Sequence, residues 1–136
     1  MKIAITGGLG FVGNQVARHF AKSFPLANII AIGRTVSPHP SKLFPNLVYL
    51  SSDLTKRNGS FSWLKGVGCV FHVAAKAGIG GKFDDYNLAN FQATSDLLDA
   101  SQKFGVQQFI YTISPSVVFN NQNIQNGDES LPYLKS

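Results

Sequence analysis

Apolar residues occur along this chain in short runs that are separated by polar and glycine-rich stretches. Five of these runs predict β-strands: Lys2 to Thr6, Asn28 to Ile32, Leu47 to Leu50, Val67 to Ala75 and Val106 to Thr112. The fourth run, VGCVFHVAA, is the most continuous, as expected for a strand that is covered on both faces. The apolar pattern therefore predicts a buried sheet.

Two segments show helical spacing instead. After the first strand, apolar side chains recur every four residues and Pro25 marks the end of the helix; this predicted stripe is Val12, Val16, Phe20 and Phe24. A second helix is predicted from about Asp84 to Phe104, with Gly105 as its cap. Its expected buried stripe is Leu88, Phe91, Leu98 and Phe104.

The remaining segments are predicted to be loops. Gly33 to Pro45 is rich in proline and serine, Asp53 to Ser62 reads as a loop or short helix, and Lys76 to Lys82 is a flexible glycine loop. Asn120 to Ser136 shows no periodicity.

The order strand, helix, strand, strand, strand, helix, strand predicts a parallel sheet with helices on both faces, because parallel neighbours need crossover connections. The fold class is therefore α/β, a Rossmann-type doubly wound parallel sheet in three α/β/α layers. We expect one domain over residues 1–136 that is incomplete at its C-terminus, since a complete version normally adds another helix and strand.

Composition and charge narrow the function classes only slightly. The formal charge is +5, but the basic residues are scattered with no run longer than Lys56-Arg57, so no nucleic-acid partner is expected. Cys69 is the single cysteine, which excludes an intrachain disulfide and favours a cytoplasmic location. His19 and His39 are too isolated to indicate a metal site. No signal peptide or membrane span is expected.

The segment Thr6 to Gly13, TGGLGFVG, lies between the first strand and the first helix. Glycines at such a turn let the backbone approach a pyrophosphate, which sits at the helix N-terminus where N–H groups and the helix dipole favour negative charge. The spacing fits both Gly8-x-Gly10-x-x-Gly13 and Gly7-x-x-Gly10-x-x-Gly13. No Gly-Lys-Ser/Thr follows, so the turn is not a P-loop. It predicts a dinucleotide site at Gly7, Gly8, Leu9, Gly10, Phe11, Val12 and Gly13.

The end of the second strand bears on the choice of dinucleotide. An NAD enzyme usually has an Asp or Glu there for the ribose 2′-hydroxyl, whereas this chain has Gly33 and Arg34. With no carboxylate to repel a phosphate and a guanidinium beside it, NADP is favoured over NAD as the cofactor. The alternative for Arg34 is a solvated surface arginine.

These motifs resemble those of the extended short-chain dehydrogenase/reductases, which include nucleotide-sugar epimerases and dehydratases and the 3β-hydroxysteroid dehydrogenase/isomerases. The match runs the full length of the chain, as the N-terminal part of such a protein. TGGLGFVG resembles the TGGxGFxG turn, and His72 to Ala75, HVAA, resembles the HxAA segment beneath the cofactor. NFQATSDLLDA matches the NxxGTxNLLxA helix, from which Ala93 departs. The resemblance implies further cofactor contacts from Asp53 (the adenine-contacting Asp), Leu54, Ala74, Ala75 and Asn90.

Three of these residues have simpler alternatives. Asp53 is also suited to capping a turn after its strand. Asn90 is also suited to satisfying backbone groups beside the glycine loop. His72 is interpreted as a packed strand-end histidine rather than an acid/base group. Phe83, Tyr86 and the glycine loop are candidates for the border of a substrate pocket.

Tyr111 to Phe119, YTISPSVVF, resembles the YTSSPSVVF segment of the hydroxysteroid-dehydrogenase-like branch. In that branch the serine at the position of Ser114 helps bind and polarise the substrate carbonyl or hydroxyl, so the resemblance makes Ser114 the candidate catalytic residue. Ser116 is the second choice. A hydroxyl at a strand C-terminus suits this role because α/β proteins bind ligands in the crevice there. The alternative is an ordinary turn serine before Pro115.

Family chemistry also uses a Tyr with a Lys four residues later. The lysine lowers the tyrosine pKa, and the phenol exchanges a proton while hydride moves to or from C4 of nicotinamide. Tyr133-Leu134-Lys135 has the wrong spacing, because residues two apart point to different faces of a helix. The resemblance therefore implies that this chain alone is inactive and lacks the substrate-binding C-terminal part.

Three function hypotheses follow. In the first, the chain is the cofactor half of an NAD(P)-dependent oxidoreductase or epimerase that acts on a small molecule, sterol-like or a nucleotide-sugar, and forms a homodimer in a full-length form. In the second, it is a noncatalytic NAD(P)-binding sensor or interaction module. In the third, it is a truncation product that neither binds a dinucleotide nor catalyses a reaction. Without the next helix, we expect the apolar face of the 84–104 helix and the fifth strand to be partly open.

Overall fold

The structure is a computed structural model that describes residues 1–35, 44–56, 61–78, 80–119 and 123–133. Its strands are β1 (Lys2–Thr6), β2 (Asn28–Gly33), β3 (Leu47–Ser51), β4 (Cys69–His72) and β5 (Gln108–Tyr111). Its helices are α1 (Phe11–Ser23), α2 (Phe83–Tyr86) and α3 (Ala93–Lys103). A π turn (Asn87–Gln92) joins α2 to α3, and single 3₁₀ turns lie at Ser62–Leu64 and Pro115–Val118.

The five strands form one parallel sheet in the order β3-β2-β1-β4-β5. The chain first moves outward from β1 to β3 and then crosses back to place β4 on the other side of β1. The strand order therefore reverses between β1 and β4, which is the topological switch point of a doubly wound sheet. The predicted fold class is confirmed.

Alternate side chains of the strands supply two cores. Ile3, Ile5 and Cys69 belong to the core on the α1 side of the sheet. Ala4 and Val70 belong to the core on the opposite side, together with Trp63 and Leu64 of a 3₁₀ turn and Leu97 and Ala100 of α3. Since successive residues of a strand point to opposite faces, β1 and β4 are covered on both sides.

Helix α1 packs on the sheet through small residues rather than through the predicted stripe. Its buried residues are Gly13, Ala17 and Ala21. Val12 is 55% exposed and Phe24 is 45% exposed, while Val16 and Phe20 pack at the margin of the core. The prediction of this face was wrong by one residue, because the close approach of α1 to the sheet selects for small volume and not for hydrophobicity.

The predicted 84–104 helix is present, but the π turn divides it. The apolar residues that were expected to be buried are exposed by 40% or more: Leu88, Phe91, Leu98 and Phe104. The buried residues of α3 are instead Ala93, Thr94, Leu97, Ala100 and Ser101. The prediction of this face was wrong because, as in α1, most residues that face the core are small and carry little hydrophobic signal. The partly open apolar surface expected here is present, and Ile110 and Tyr111 of β5 are each 42% exposed.

Strand β4 is shorter than its apolar run. It ends at His72, which pairs with Thr6, the last residue of β1. Beyond His72 the chain leaves the sheet, so the apolar residues Val73 to Ala75 do not extend the strand. Within the described ranges, no helix is both long and apolar enough to cross a membrane.

Candidate dinucleotide-binding crevice

A crevice of about 1270 Å³ opens at the carboxyl ends of the strands. It exceeds the roughly 300–1,000 Å³ of ordinary small-molecule pockets and so has room for an extended ligand. Most of the predicted site residues line it: Gly7, Leu9, Gly10, Phe11, Val12, Gly13, Arg34, Asp53, Leu54, Ala74, Ala75 and Ser114. Gly8 and Asn90 lie outside this lining.

The glycine turn brings backbone against backbone. Gly7 has a φ of +69°, and a Cβ added to it would lie 2.8 Å from the backbone N of Ala74. A Cβ on Gly13 would collide with the Gly7 carbonyl, and one on Gly8 would lie 2.8 Å from the Cα of Ala31. Only glycine fits at these three positions, because each neighbouring atom belongs to fixed backbone or to the core.

The structure separates the two possible spacings. Gly7, Gly10 and Gly13 line the crevice, whereas Gly8 is buried behind the turn. Gly10 has an ordinary backbone conformation (φ −83°, ψ 174°), and the atom that its Cβ would meet is the Gly7 oxygen at 3.2 Å. Gly10 is therefore the glycine of this set that the fold itself requires least.

Helix α1 presents its N-terminus to the crevice. Gly10 is its N-cap, no side chain caps the helix, and its first turn contains no acidic residue. The first N–H groups of a helix lack intrahelical acceptors and carry a partial positive charge, so they form a site for an anion. Phe11 is 87% exposed at this point.

Arg34 and Asp53 follow the ends of β2 and β3 on one side of the crevice. Asp53 caps a turn, since its Oδ1 accepts from the Thr55 hydroxyl (2.7 Å) and from the Thr55 backbone N–H (3.0 Å). These two bonds lower the pKa of the Asp53 carboxyl, and the charges of Lys56 and Arg34 add smaller effects in the same direction. Asp53 is thus ionised near neutral pH and held in place by its turn.

The segment after β4 forms the floor of the crevice. The Ala74 N–H donates to the Thr6 hydroxyl (3.3 Å), and the Lys76 N–H donates to Oδ1 of Asn90 (2.7 Å). The Asn90 amide donates in turn to the Lys76 carbonyl (3.0 Å). Asn90 therefore satisfies backbone groups, the simpler of its two predicted roles, and fixes the floor from behind.

His72 is fully buried between β1 and α3. Its Nδ1 lies 2.6 Å from the Thr6 hydroxyl, and its Nε2 lies 2.9 Å from the Thr94 hydroxyl. The Thr94 proton is donated to the Asn90 carbonyl (2.7 Å), so Thr94 must accept from Nε2–H and Nδ1 must accept from Thr6. The imidazole stacks on the Tyr111 ring, 5.1 Å between centroids. Both nitrogens are satisfied inside the protein, as the packed-histidine interpretation expects.

Ser114 lies at the lip of the crevice and caps the 3₁₀ turn that begins at Pro115. Its Oγ accepts from the Ser116 N–H (3.2 Å) and from the Ser116 hydroxyl (2.8 Å). Because Ser114 accepts both bonds, its own O–H proton is available for donation to a ligand. Ser116 supports this hydroxyl.

Three further residues of this region were not predicted from the sequence. Lys76 lines the crevice, where its Nζ pairs with Asp85 (3.1 Å) and lies 5.2 Å from the centre of the Tyr86 ring. Thr6 and Thr94 bracket His72. Their signal was their position, Thr6 directly before the glycine turn and Thr94 four residues after Asn90, one helical turn away.

Other predicted features lie at or beyond the limits of the structure. Tyr133 is 72% exposed, but Lys135 lies outside the described residues, as does His39. Among the described residues, no group of three or more His, Cys, Asp or Glu side chains is placed to hold a metal ion.

Acid should destabilise the fold through His72. Burial lowers the pKa of His72 from 6.5 to about 4, so the unfolded chain binds a proton at higher pH than the folded chain does. Stability present above pH 6.5 should therefore be lost as the pH falls to 4, by about 3 kcal/mol in total. Urea unfolding at several pH values measures this loss. In His72→Gln, the free energy of unfolding should change less between pH 6.5 and 4 than in the wild-type chain. An equal change in the two proteins would contradict this role of His72.

Comparison with known proteins agrees with this geometry. A sequence model of the 3-beta hydroxysteroid dehydrogenase/isomerase family matches residues 4–136. The 3 beta-hydroxysteroid dehydrogenase/Delta 5-->4-isomerase of Mycobacterium tuberculosis is 34% identical over 145 residues, which cover 97% of this chain and 36% of that protein. The 2-alkyl-3-oxoalkanoate reductase of Stenotrophomonas maltophilia is 32% identical over 117 residues, covering 86% of this chain and 34% of that protein. The chain thus spans about a third of the length of these curated relatives.

Solved structures show the same fold. UDP-N-acetylglucosamine 4-epimerase from Methanobrevibacter ruminantium superposes with a TM-score of 0.82 and 26% identity, covering 98% of this chain and 44% of that one. UDP-glucuronic acid 4-epimerase from Bacillus cereus, in complex with NAD, gives a TM-score of 0.81 at 25% identity, covering 98% and 46%. Since the family model accounts for nearly the whole chain and the fold agrees, this chain belongs to the 3-beta hydroxysteroid dehydrogenase/isomerase family.

Proposed function

We propose that this chain binds a nicotinamide dinucleotide in the crevice and forms the cofactor-binding part of an NAD(P)-dependent dehydrogenase or epimerase. The observation that carries the proposal is the glycine turn. The uncapped N-terminus of α1 meets the crevice there, and no side chain projects from Gly7, Gly10 or Gly13. A pyrophosphate can therefore approach the backbone N–H groups directly. The solved B. cereus epimerase, whose fold this chain shares, contains NAD.

The lining divides the crevice into three zones. The pyrophosphate would lie on the N-terminus of α1, and the adenosine would lie between Arg34 and the Asp53-Leu54 pair. The nicotinamide would lie over Ala74 and Ala75, near Ser114. When bound, the nicotinamide ring supplies hydride transfer at its C4.

Ser114 is the residue that we assign to the substrate. Its available O–H proton at the lip of the crevice would hydrogen-bond a substrate carbonyl or hydroxyl and hold that oxygen near the nicotinamide zone. A sterol-like substrate is supported by the steroid dehydrogenase among the relatives, and a nucleotide-sugar by the epimerase structures.

Proton transfer needs a group that these residues do not supply. No Tyr in the 136-residue sequence is followed four positions later by a Lys, and the His72 side chain is fully buried. We therefore propose that the chain as given binds cofactor without turning it over. The homodimer expected of a full-length form stays a prediction.

Gly10→Ala should separate binding from folding. The added methyl would lie 3.2 Å from the Gly7 carbonyl oxygen, so the turn must shift slightly, and it would project where the pyrophosphate would lie. NADH affinity should therefore fall at least about tenfold, while the melting temperature falls only slightly. Titration of NADH fluorescence and a thermal melt measure the two effects. Gly68→Ala is the matched control, because its Cβ would meet nothing closer than 3.9 Å. Unchanged NADH affinity in Gly10→Ala would overturn the placement of the pyrophosphate.

Arg34→Glu should reveal the preference between NADP and NAD. If the guanidinium holds a 2′-phosphate, the reversal of charge should weaken NADPH by about tenfold to a hundredfold and affect NADH far less. Arg18→Glu, on α1, makes the same charge change outside the crevice lining and is the control. Equal losses for the two dinucleotides would remove the basis for an NADP preference.

A further inference from the structure

The π turn Asn87–Gln92 borders the crevice. Its residues Leu88 and Ala89 line the crevice, as do Lys76 and Asp85. Lys76 follows Ala74 and Ala75, over which we place the nicotinamide. A π turn between α-helical segments is uncommon, and such turns are frequent at functional sites. This one lies between α2 and α3.

A directional chain of hydrogen bonds reaches the π turn from the crevice floor. Ala74 N–H donates to Thr6, Thr6 to Nδ1 of His72, Nε2–H of His72 to Thr94, and Thr94 to the carbonyl of Asn90 inside the π turn. Each hydroxyl accepts one bond and donates one. His72 and Thr94 are at most 8% exposed, so an interrupted chain would leave a buried polar group unsatisfied.

Both ends of the hydrogen-bond chain are connected to the crevice floor. Asn90, whose carbonyl ends the chain, also holds Lys76 by both backbone groups, and Ala74, where the chain begins, lies two residues away. The floor from Ala74 to Lys76 is therefore fixed at one end through Thr6 and at the other through Asn90. The adenosine zone at Arg34 and Asp53 has no bond in this circuit among the described contacts.

We propose that Thr94 is a positioning residue for the nicotinamide zone, although it does not touch the crevice. Through His72 and Asn90 it keeps the π turn and the floor in the arrangement that accepts the nicotinamide half of the cofactor. The proposal rests on the proposed dinucleotide site. It implies that loss of the Thr94 hydroxyl impairs binding of the nicotinamide half and spares the adenine half.

Affinities for NADH and ADP, measured by calorimetry on the wild-type chain and on Thr94→Val, test this. Valine keeps the shape and removes the hydroxyl. If only about a tenth of the Thr94→Val molecules keep the arrangement that accepts the nicotinamide half, NADH should bind about tenfold more weakly. ADP should stay within about twofold, the scatter expected for distant sites. Thr94→Ser keeps a hydroxyl and should restore NADH binding.

A second measurement, on the wild-type chain, tests the proposal even if Thr94→Val does not fold. A nitrogen-edited NMR spectrum of the His72 imidazole should show the neutral ring with its proton on Nε2. A proton on Nδ1 would reverse the donor and acceptor at both hydrogen bonds of His72 and would overturn the proposal.

The outcomes separate the two proposals. If the wild-type chain binds neither NADH nor ADP, the dinucleotide site itself fails. If it binds both, and Thr94→Val loses melting temperature but keeps the ratio of NADH to ADP affinity, Thr94 is only structural and this inference alone fails. A changed ratio that serine restores supports it.

Discussion

Backbone contact at the glycine turn is the constraint on which the rest of this structure depends. The Gly7 carbonyl lies directly against Gly13, and Gly7 in turn lies against the backbone of Ala74. This packing lets α1 begin immediately after the end of β1 and brings the segment after β4 to the same point. The crevice exists because two elements from opposite sides of the switch point meet there without side chains between them.

Polar contacts then fix what the glycine turn brings together. His72 ends β4 at its pairing with the last residue of β1, and its two ring nitrogens join Thr6 on one side to Thr94 on the other. A histidine serves here because a neutral imidazole accepts at one nitrogen and donates at the other across the width of a ring. The sheet, the crevice floor and the π turn are thereby joined in one network.

The sequence predicted the parts of the fold that depend on contiguous apolar runs. β1 was predicted with its observed ends, and β2 and β3 to within one residue. Each of these strands carries large aliphatic core residues, which give a strong apolar signal: Ile3, Ile5, Ile29, Ile32 and Leu47. β4 was overestimated, since the apolar residues after His72 line the crevice and not the sheet. A segment that lines a crevice can be as apolar as a buried strand, so the apolar pattern alone does not distinguish the two.

Helix faces and supporting contacts were harder to predict for a related reason. The sheet-facing residues of α1 are small, and small residues carry little hydrophobic signal. The π turn changes the register of its helix without any glycine or proline to mark it. The candidate site was predictable where a motif exposes backbone, as at Gly7 to Gly13, and not where one side chain acts through another, as Thr94 does through His72.

If the crevice holds a dinucleotide in one orientation, titration with NADH should change the amide NMR chemical shifts of three groups of residues. These groups are the glycine turn, the ends of β2 and β3 at Arg34 and Asp53, and the floor at Ala74 to Lys76. Largest shifts on the outer face of α3, around Asp99 and Phe104, or no shifts at all, would contradict this placement of the dinucleotide.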